Sequence, residues 1–157
     1  MTVRFYNTKG PYGCLSNFSR HGFQVDGLYW PTVEHYFQAQ KFAGTEQARL
    51  IQQAPTPRQA KDLGHDRTIP LRSDWEDVKD EVMRQAVRSK FEKHGDARGV
   101  LLGTGNEEII EDSPSDYYWG CGADGTGKNI LGKILMEVRA VLRSHGEQGA
   151  AENRLGE

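Results

Sequence analysis

The last third of the chain holds the pattern that most limits its fold. Ile130, Leu131, Ile134, Leu135 and Val138 recur at spacings of three and four. That is the period of a helix with one apolar face, and such a face needs another element to cover it. A second stretch, 74–94, carries Trp75, Val78 and Val82 on one side. Ser73 or Asp74 caps it, and acids fill its first turn. Arg88, Lys90, Lys93 and His94 stand in its last turns, as the helix dipole favours. Two long amphipathic helices in a chain of 157 residues imply one domain built around one core.

The other elements are shorter. Pro31-Thr32 opens a helix that runs to about residue 42, with Thr32 as N-cap. A helix at 46–53 stops before Pro55, another follows Thr56-Pro57 and ends at Gly64, and a further short one covers 97–105. Strand signals lie at 3–6, at 107–112, and at 23–30, where Asp26-Gly27 reads as the turn of a hairpin. Residues 9–22 are rich in Gly, Pro, Ser and Asn and read as loop. The class is α+β, a mainly helical single domain with a small strand element over 1–145. Residues 146–157 are expected as a flexible tail.

Charge and cysteines narrow the setting. Twenty basic against 22 acidic residues leave a net charge of −2, with no global pull toward nucleic acid or anionic lipid. No apolar run spans a bilayer, and the N-terminus lacks a signal core. Cys14 and Cys121 form no CxxC, so neither a structural zinc site nor a disulfide is expected, and a reduced, cytoplasmic setting fits best. The sequence sets no oligomeric state.

Two polar constellations stand out. "WGCGADGTGKNILGK" contains both GxGxxG and GxxxxGK. Neither label holds. Asn129 stands where a phosphate-binding P-loop needs Ser or Thr after Lys128, and "DSPSDYYW" is not the strand either motif requires. What survives is a glycine-rich turn before a helix, whose free N–H groups attract an anion. The plain alternative is a surface turn. Trp119 beside it either stacks on a ring or plugs the core.

The second constellation lies on the helix "WPTVEHYFQAQKF". At 100° per residue Glu34 and Lys41 are about 20° apart in azimuth and roughly 10 Å apart along the axis, with Gln38 between them. They can reach one ligand from two ends. Glu34 suits a general base or an anion facing a cationic transition state; the plain reading is dipole complementation. His35 points about 100° away and reads as a packing residue. Asp116 is a second carboxylate or a loop cap. Trp75, on the apolar stripe, reads as core.

Taken together, "FY" followed by "YGCLSNFS", "WPTVEHYFQAQKF", "DLGHDRTIPLRSDWEDVKDEVMRQAVRSKF" and "DYYWGCGADGTGKNILGKILMEVR" resemble the NADAR (YbiA-like) family over about 5–142. The resemblance implies a compact, mainly helical α+β fold. It also implies an N-glycosidase that cuts a ribose C1′–nitrogen bond at an exocyclic amine. Two substrate groups go with it: ADP-ribose on the guanine amino group of DNA or RNA, removed in repair or antitoxin action, and phosphoribosylamino-pyrimidine intermediates of riboflavin synthesis. The matching positions are Glu34, Lys41, Trp75, Asp116 and Trp119. On this reading Glu34, Lys41 and Asp116 are catalytic. Asn17, Gln38, Trp75, Trp119, Gly120, Gly127, Lys128 and Asn129 hold substrate, the glycine loop gripping phosphates. No metal, cofactor or membrane is implied. Glu34 would stabilise the sugar cation or activate water. Lys41 would protonate the amine or, if neutral, form a Schiff base. The rival classes are a module that binds ADP-ribose without cleaving it, and a protein-interaction domain.

Overall fold

A computed structural model describes the backbone of residues 1–155 and the side chains of residues 1–146. The order is β1 (Thr2–Phe5), a 3-10 turn (Gly13–Leu15), β2 (Phe23–Val25), β3 (Leu28–Trp30), α1 (Val33–Gln40), α2 (Glu46–Gln52), α3 (Pro57–Gly64), α4 (Trp75–Lys93), α5 (Gly95–Gly103), β4 (Glu108–Glu111) and α6 (Ile130–Leu155). The tail expected at 146–157 lies outside the described side chains from residue 147 onward, and 156–157 lie outside the described residues altogether.

The predicted hairpin forms. β2 and β3 pair antiparallel, Phe23 opposite Trp30. Asp26 and Gly27 close it with φ of 51° and 80°, the left-handed pair that a two-residue turn matched to strand twist requires. Local sequence does not reveal the second pairing. β1 lies parallel to β4, with Val3 beside Ile109 and Phe5 beside Glu111, across more than a hundred residues of chain. Paired residues face the same side, so Phe5 and Glu111 both follow Val3 and Ile109 inward.

The long helices behave as their spacing predicts. α6 buries Leu131, Ile134, Leu135, Val138 and Leu142 and packs on α4 and β4. α4 buries Trp75, Met83, Ala86, Val87 and Phe91, while Val78 and Val82 are half-buried. Lys90 departs from its expected role. It is 1% exposed, and its Nζ donates to the Ser16 carbonyl at 2.9 Å, so it pins the loop after the 3-10 turn rather than meeting solvent at the helix end. Thr32, Thr45 and Thr56 cap α1, α2 and α3, each accepting from the backbone N–H three residues on. Such caps contribute about 1 kcal/mol each.

α1 is the centre of the molecule and is packed by α2, α3, α4 and β3. Every residue from Val33 to Ala39 is buried. A helix enclosed on all sides is expected to be apolar all round, yet this one carries Glu34, His35 and Gln38 inward.

Candidate active site

His35 is the polar residue of α1 that the fold consumes. Its Nε2 lies 2.9 Å from the Ala54 carbonyl and its Nδ1 2.8 Å from the Thr32 hydroxyl. The carbonyl only accepts, so Nε2 carries the proton and Nδ1 accepts from Thr32. Burial pushes its pKa down, which keeps the ring neutral. It ties α1 to the chain after α2, as a packing residue.

Glu34 and Gln38 face the other way, into a cavity of about 760 Å³. Pockets of several hundred Å³ are the usual size for small-molecule sites. Phe37 forms its apolar wall between two indoles, 5.2 Å from the ring of Trp75 and 5.2 Å from that of Trp119. Of the predicted residues, Glu34, Gln38, Lys41, Asn17, Trp75, Asp116 and Trp119 all line this one cavity. They come from α1, α4, the loop after the 3-10 turn and the loop after β4.

The carboxylate of Glu34 is 7% exposed, and its Oε1 accepts from Gln38 Nε2 at 2.7 Å. Its backbone N–H donates to the Asn17 carbonyl at 3.1 Å, which fixes the loop held by Lys90 against the start of α1. Burial raises the Glu34 pKa; the Gln38 hydrogen bond and the charges of Lys61 and Lys41 oppose the rise, and Asp116 adds to it. Lys41 follows Gln40, the last residue of α1, so the helix ends two residues short of the end expected from sequence. It is half-buried, its Nζ is 3.5 Å from the Gly64 carbonyl, and burial lowers its pKa against the pull of Glu34. Gln38 owes its place to Gly64, where a Cβ would stand 2.1 Å from Gln38 Oε1.

Asp116 is a loop cap that also lines the cavity. Its Oδ1 accepts from the backbone N–H groups of Tyr118 and Trp119 at 3.0 and 2.8 Å, which sets the indole in the wall.

The glycine loop does not form the expected phosphate cradle. The N–H groups of Gly127, Lys128, Asn129, Ile130 and Leu131 all donate to carbonyls of residues 117–121. Amides already engaged in this way have nothing left for an anion. The side chain of Asn129 bridges to β4, accepting from Glu111 N and donating to Ile109 O. Gly127, Lys128 and Asn129 line a separate cavity of about 240 Å³, and Gly120 lines neither. Gly120 instead makes room: a Cβ there would lie 2.0 Å from Glu111 Oε2.

Sequence reasoning passed over two groups. Arg58, Lys61 and His65 stand at the mouth of the large cavity. Their spacing of three and four along α3 puts them on one helical stripe, a signal present in the sequence. Glu111 is the other. It alternates with buried Ile109 in β4, so its inward direction was also readable. Burial and the charge of Asp116 raise its pKa to about 7. Its Oε2 and Gln38 Oε1 are both buried without a hydrogen-bond partner among the described residues. Buried polar atoms are nearly always paired, and two such atoms on one cavity's residues mark a place prepared for a ligand.

Among the described residues no group of three or more His, Cys, Asp or Glu is gathered as a metal site would need. Cys14 and Cys121 are free thiols. No helix among the described residues is long and apolar enough to cross a membrane.

Comparison with known proteins bears on this cavity. A NADAR domain profile matches residues 4–143. N-glycosidase Npun_R5314 of Nostoc punctiforme is 52% identical, over 92% of this chain and 94% of that protein. N-glycosidase YbiA of Escherichia coli is 47% identical, over 89% of this chain and 88% of its own length. The solved NMR structure of Escherichia coli YbiA superposes with a TM-score of 0.85 at 46% identity, over 92% of this chain and 86% of that one. A maize protein named Riboflavin biosynthesis protein PYRR, chloroplastic is 40% identical over 89% of this chain, which spans 25% of the maize protein.

Proposed function

The chain belongs to the NADAR family, and from that premise we propose that it is an N-glycosidase acting on a phosphate-bearing ribose whose C1′ carries an exocyclic amine. The observation that carries the reading is a buried carboxylate, Glu34, facing the same cavity as two cations of α3, Arg58 and Lys61, with His65 beside them, its pKa lowered by burial and by the charges of Lys41 and Lys61. Loss of an amine from C1′ builds positive charge on the sugar. Glu34 has its pKa raised by burial and accepts from Gln38 with two lysines nearby, which places it to meet this charge or to take a proton from the nucleophile. The phosphates go to Arg58 and Lys61 of α3. Trp75, Phe37 and Trp119 enclose the sugar and exclude water, which strengthens each of these charges.

We favour ADP-ribose on a guanine amino group as the substrate. Several cations at one mouth suit a diphosphate, and exposed Tyr6 and Tyr117 on the same rim offer flat faces to a nucleobase. A net charge of −2 points to single-stranded or exposed guanine rather than intact duplex. A cytoplasmic setting goes with this reading. The name of the maize relative favours a second reading, a phosphoribosylamino-pyrimidine of riboflavin synthesis.

The test is parallel incubation with an oligonucleotide carrying ADP-ribosylated guanine and with the riboflavin intermediate, with products read by mass spectrometry. Free ADP-ribose and restored guanine support the first reading, and ribose 5-phosphate with a free aminopyrimidine the second. Glu34→Gln should lower turnover by on the order of a hundredfold with folding retained. Near-normal turnover in that variant would sink the assignment.

A further inference from the structure

Glycoside chemistry uses two carboxyl groups in different protonation states, and the cavity holds more than one carboxyl. Burial raises the pKa of Glu34, and three groups pull the other way: the Gln38 amide at 2.7 Å, Lys61 and Lys41. Among the described residues no side chain donates to the Glu111 carboxyl. Across from it stand Asp116 in the loop after β4 and Asp112 beside it on its own chain segment, with Lys61 of α3 as the opposing charge. Phe5 of β1 is its apolar neighbour in register. Among the described residues its Oε2 is buried without a partner, and the Ser113 backbone N–H is the donor turned toward the carboxyl. Room for this side chain is made at one position, Gly120, where any larger residue would place a carbon 2.0 Å from Oε2 and 2.8 Å from the Glu111 carbonyl oxygen.

We propose that Glu111 is the general acid of this site, the residue that protonates the leaving amine, and that Gly120 serves to lodge its carboxyl. The inference rests on the N-glycosidase reading above. The C1′–N bond breaks with its electron pair staying on nitrogen, and nitrogen takes the carboxyl proton of Glu111. The nucleophile, water through oxygen or neutral Lys41 through nitrogen, bonds to C1′ and yields a proton to Glu34. With Lys41 the first product is a glycosylamine; its C1′–O4′ bond then breaks as the nitrogen lone pair forms C1′=N and O4′ takes a proton from solvent, and water hydrolyses this imine to the free sugar and Lys41, the surplus proton leaving to solvent. Glu111 regains its proton from solvent and Glu34 returns one. The held proton is in place up to about pH 7, the range in which burial and Asp116 keep the carboxyl neutral.

The experiment compares two leaving groups in wild type and Glu111→Gln. One substrate is ADP-ribose linked to a guanine amino group. The other carries 4-nitrophenol at the same carbon, which departs without a proton. The expected result is a loss of about a hundredfold or more in kcat on the amine, with KM unchanged, and nitrophenyl cleavage within about threefold of wild type. In wild type, kcat/KM on the amine should fall above about pH 7, while nitrophenyl cleavage keeps no such limb. Gly120→Ala should reproduce the selective loss. Equal losses on both substrates, or no loss on either, overturn the role of Glu111. Should Glu111→Gln fail to fold, matching alkaline limbs for both substrates in wild type overturn it as well. A wild type that releases nitrophenol but cleaves no amino-linked riboside removes the N-glycosidase reading and this inference with it.

Discussion

Lys90→Met tests whether the floor of the cavity rests on a buried amine. Lys90 is 1% exposed, and burial lowers its pKa from 10.5 to about 7. The folded value lies below the unfolded one, so between them the unfolded chain holds a proton that the folded chain has lost. Stability therefore rises with pH from about 7 toward 10.5, and below about 7 the buried charge exerts its full penalty. Each pKa unit corresponds to about 1.4 kcal/mol, so between about pH 6 and about pH 9 this one group should add roughly 3 kcal/mol. Glu111 works against it in wild type. Its pKa is raised to about 7, so its contribution falls as pH climbs from the ordinary carboxylate range to that value. Lys90 is not among the charges acting on Glu111, so the Glu111 contribution cancels when wild type and variant are compared at each pH. The assay is urea unfolding of both proteins at the two pH values. The stability of wild type relative to Lys90→Met should rise by about 3 kcal/mol from the acid to the alkaline condition. A difference that stays constant within about 0.5 kcal/mol would refute the picture of a buried amine that sheds its proton.

Gly64→Ala puts a Cβ 2.1 Å from Gln38 Oε1 and 2.8 Å from Gln38 Cβ, so thermal melts should report a loss of about 1–3 kcal/mol from overpacking. Turnover should fall with it, because Glu34 loses its 2.7 Å donor. Lys41, with its pKa lowered by burial, is expected to be trapped by borohydride during turnover as an adduct seen by peptide mass spectrometry; a clean spectrum would leave direct attack by water. Lys61→Gln should raise KM by about tenfold and flatten its dependence on salt, if the α3 stripe grips phosphate; an unchanged KM moves the phosphates elsewhere.

Much of the molecule could be read along the chain. The two long helices, the Asp26-Gly27 hairpin and the Thr32 cap follow from spacing, positive φ and side-chain oxygen, all local in range. Glu34, Gln38 and Lys41 were also legible, since helical geometry alone sets their bearing. The glycine loop misled because composition reports that a backbone can turn, not whether its N–H groups are free. Those groups are taken by carbonyls of residues 117–121, close in sequence but invisible as partners without the fold. The parallel pairing of β1 with β4 joins residues far apart and leaves no local mark.

The sequence by itself determined the long helices, the Thr32 cap and the side of α1 on which its carboxylate stands, because these depend on periodicity and on neighbours within a turn or two; the cap expected from Ser73 or Asp74 did not form, since Asp74 accepts from Arg72 and makes no side-chain bond to the start of α4. Only the tertiary structure decided that α1 is enclosed, that Lys90 is buried, and that Glu111 shares a cavity with Glu34. The reason is physical. Burial, and the shifts in proton affinity that follow from it, depend on which distant segments remove water from a group, and the order of residues along the chain does not state those contacts.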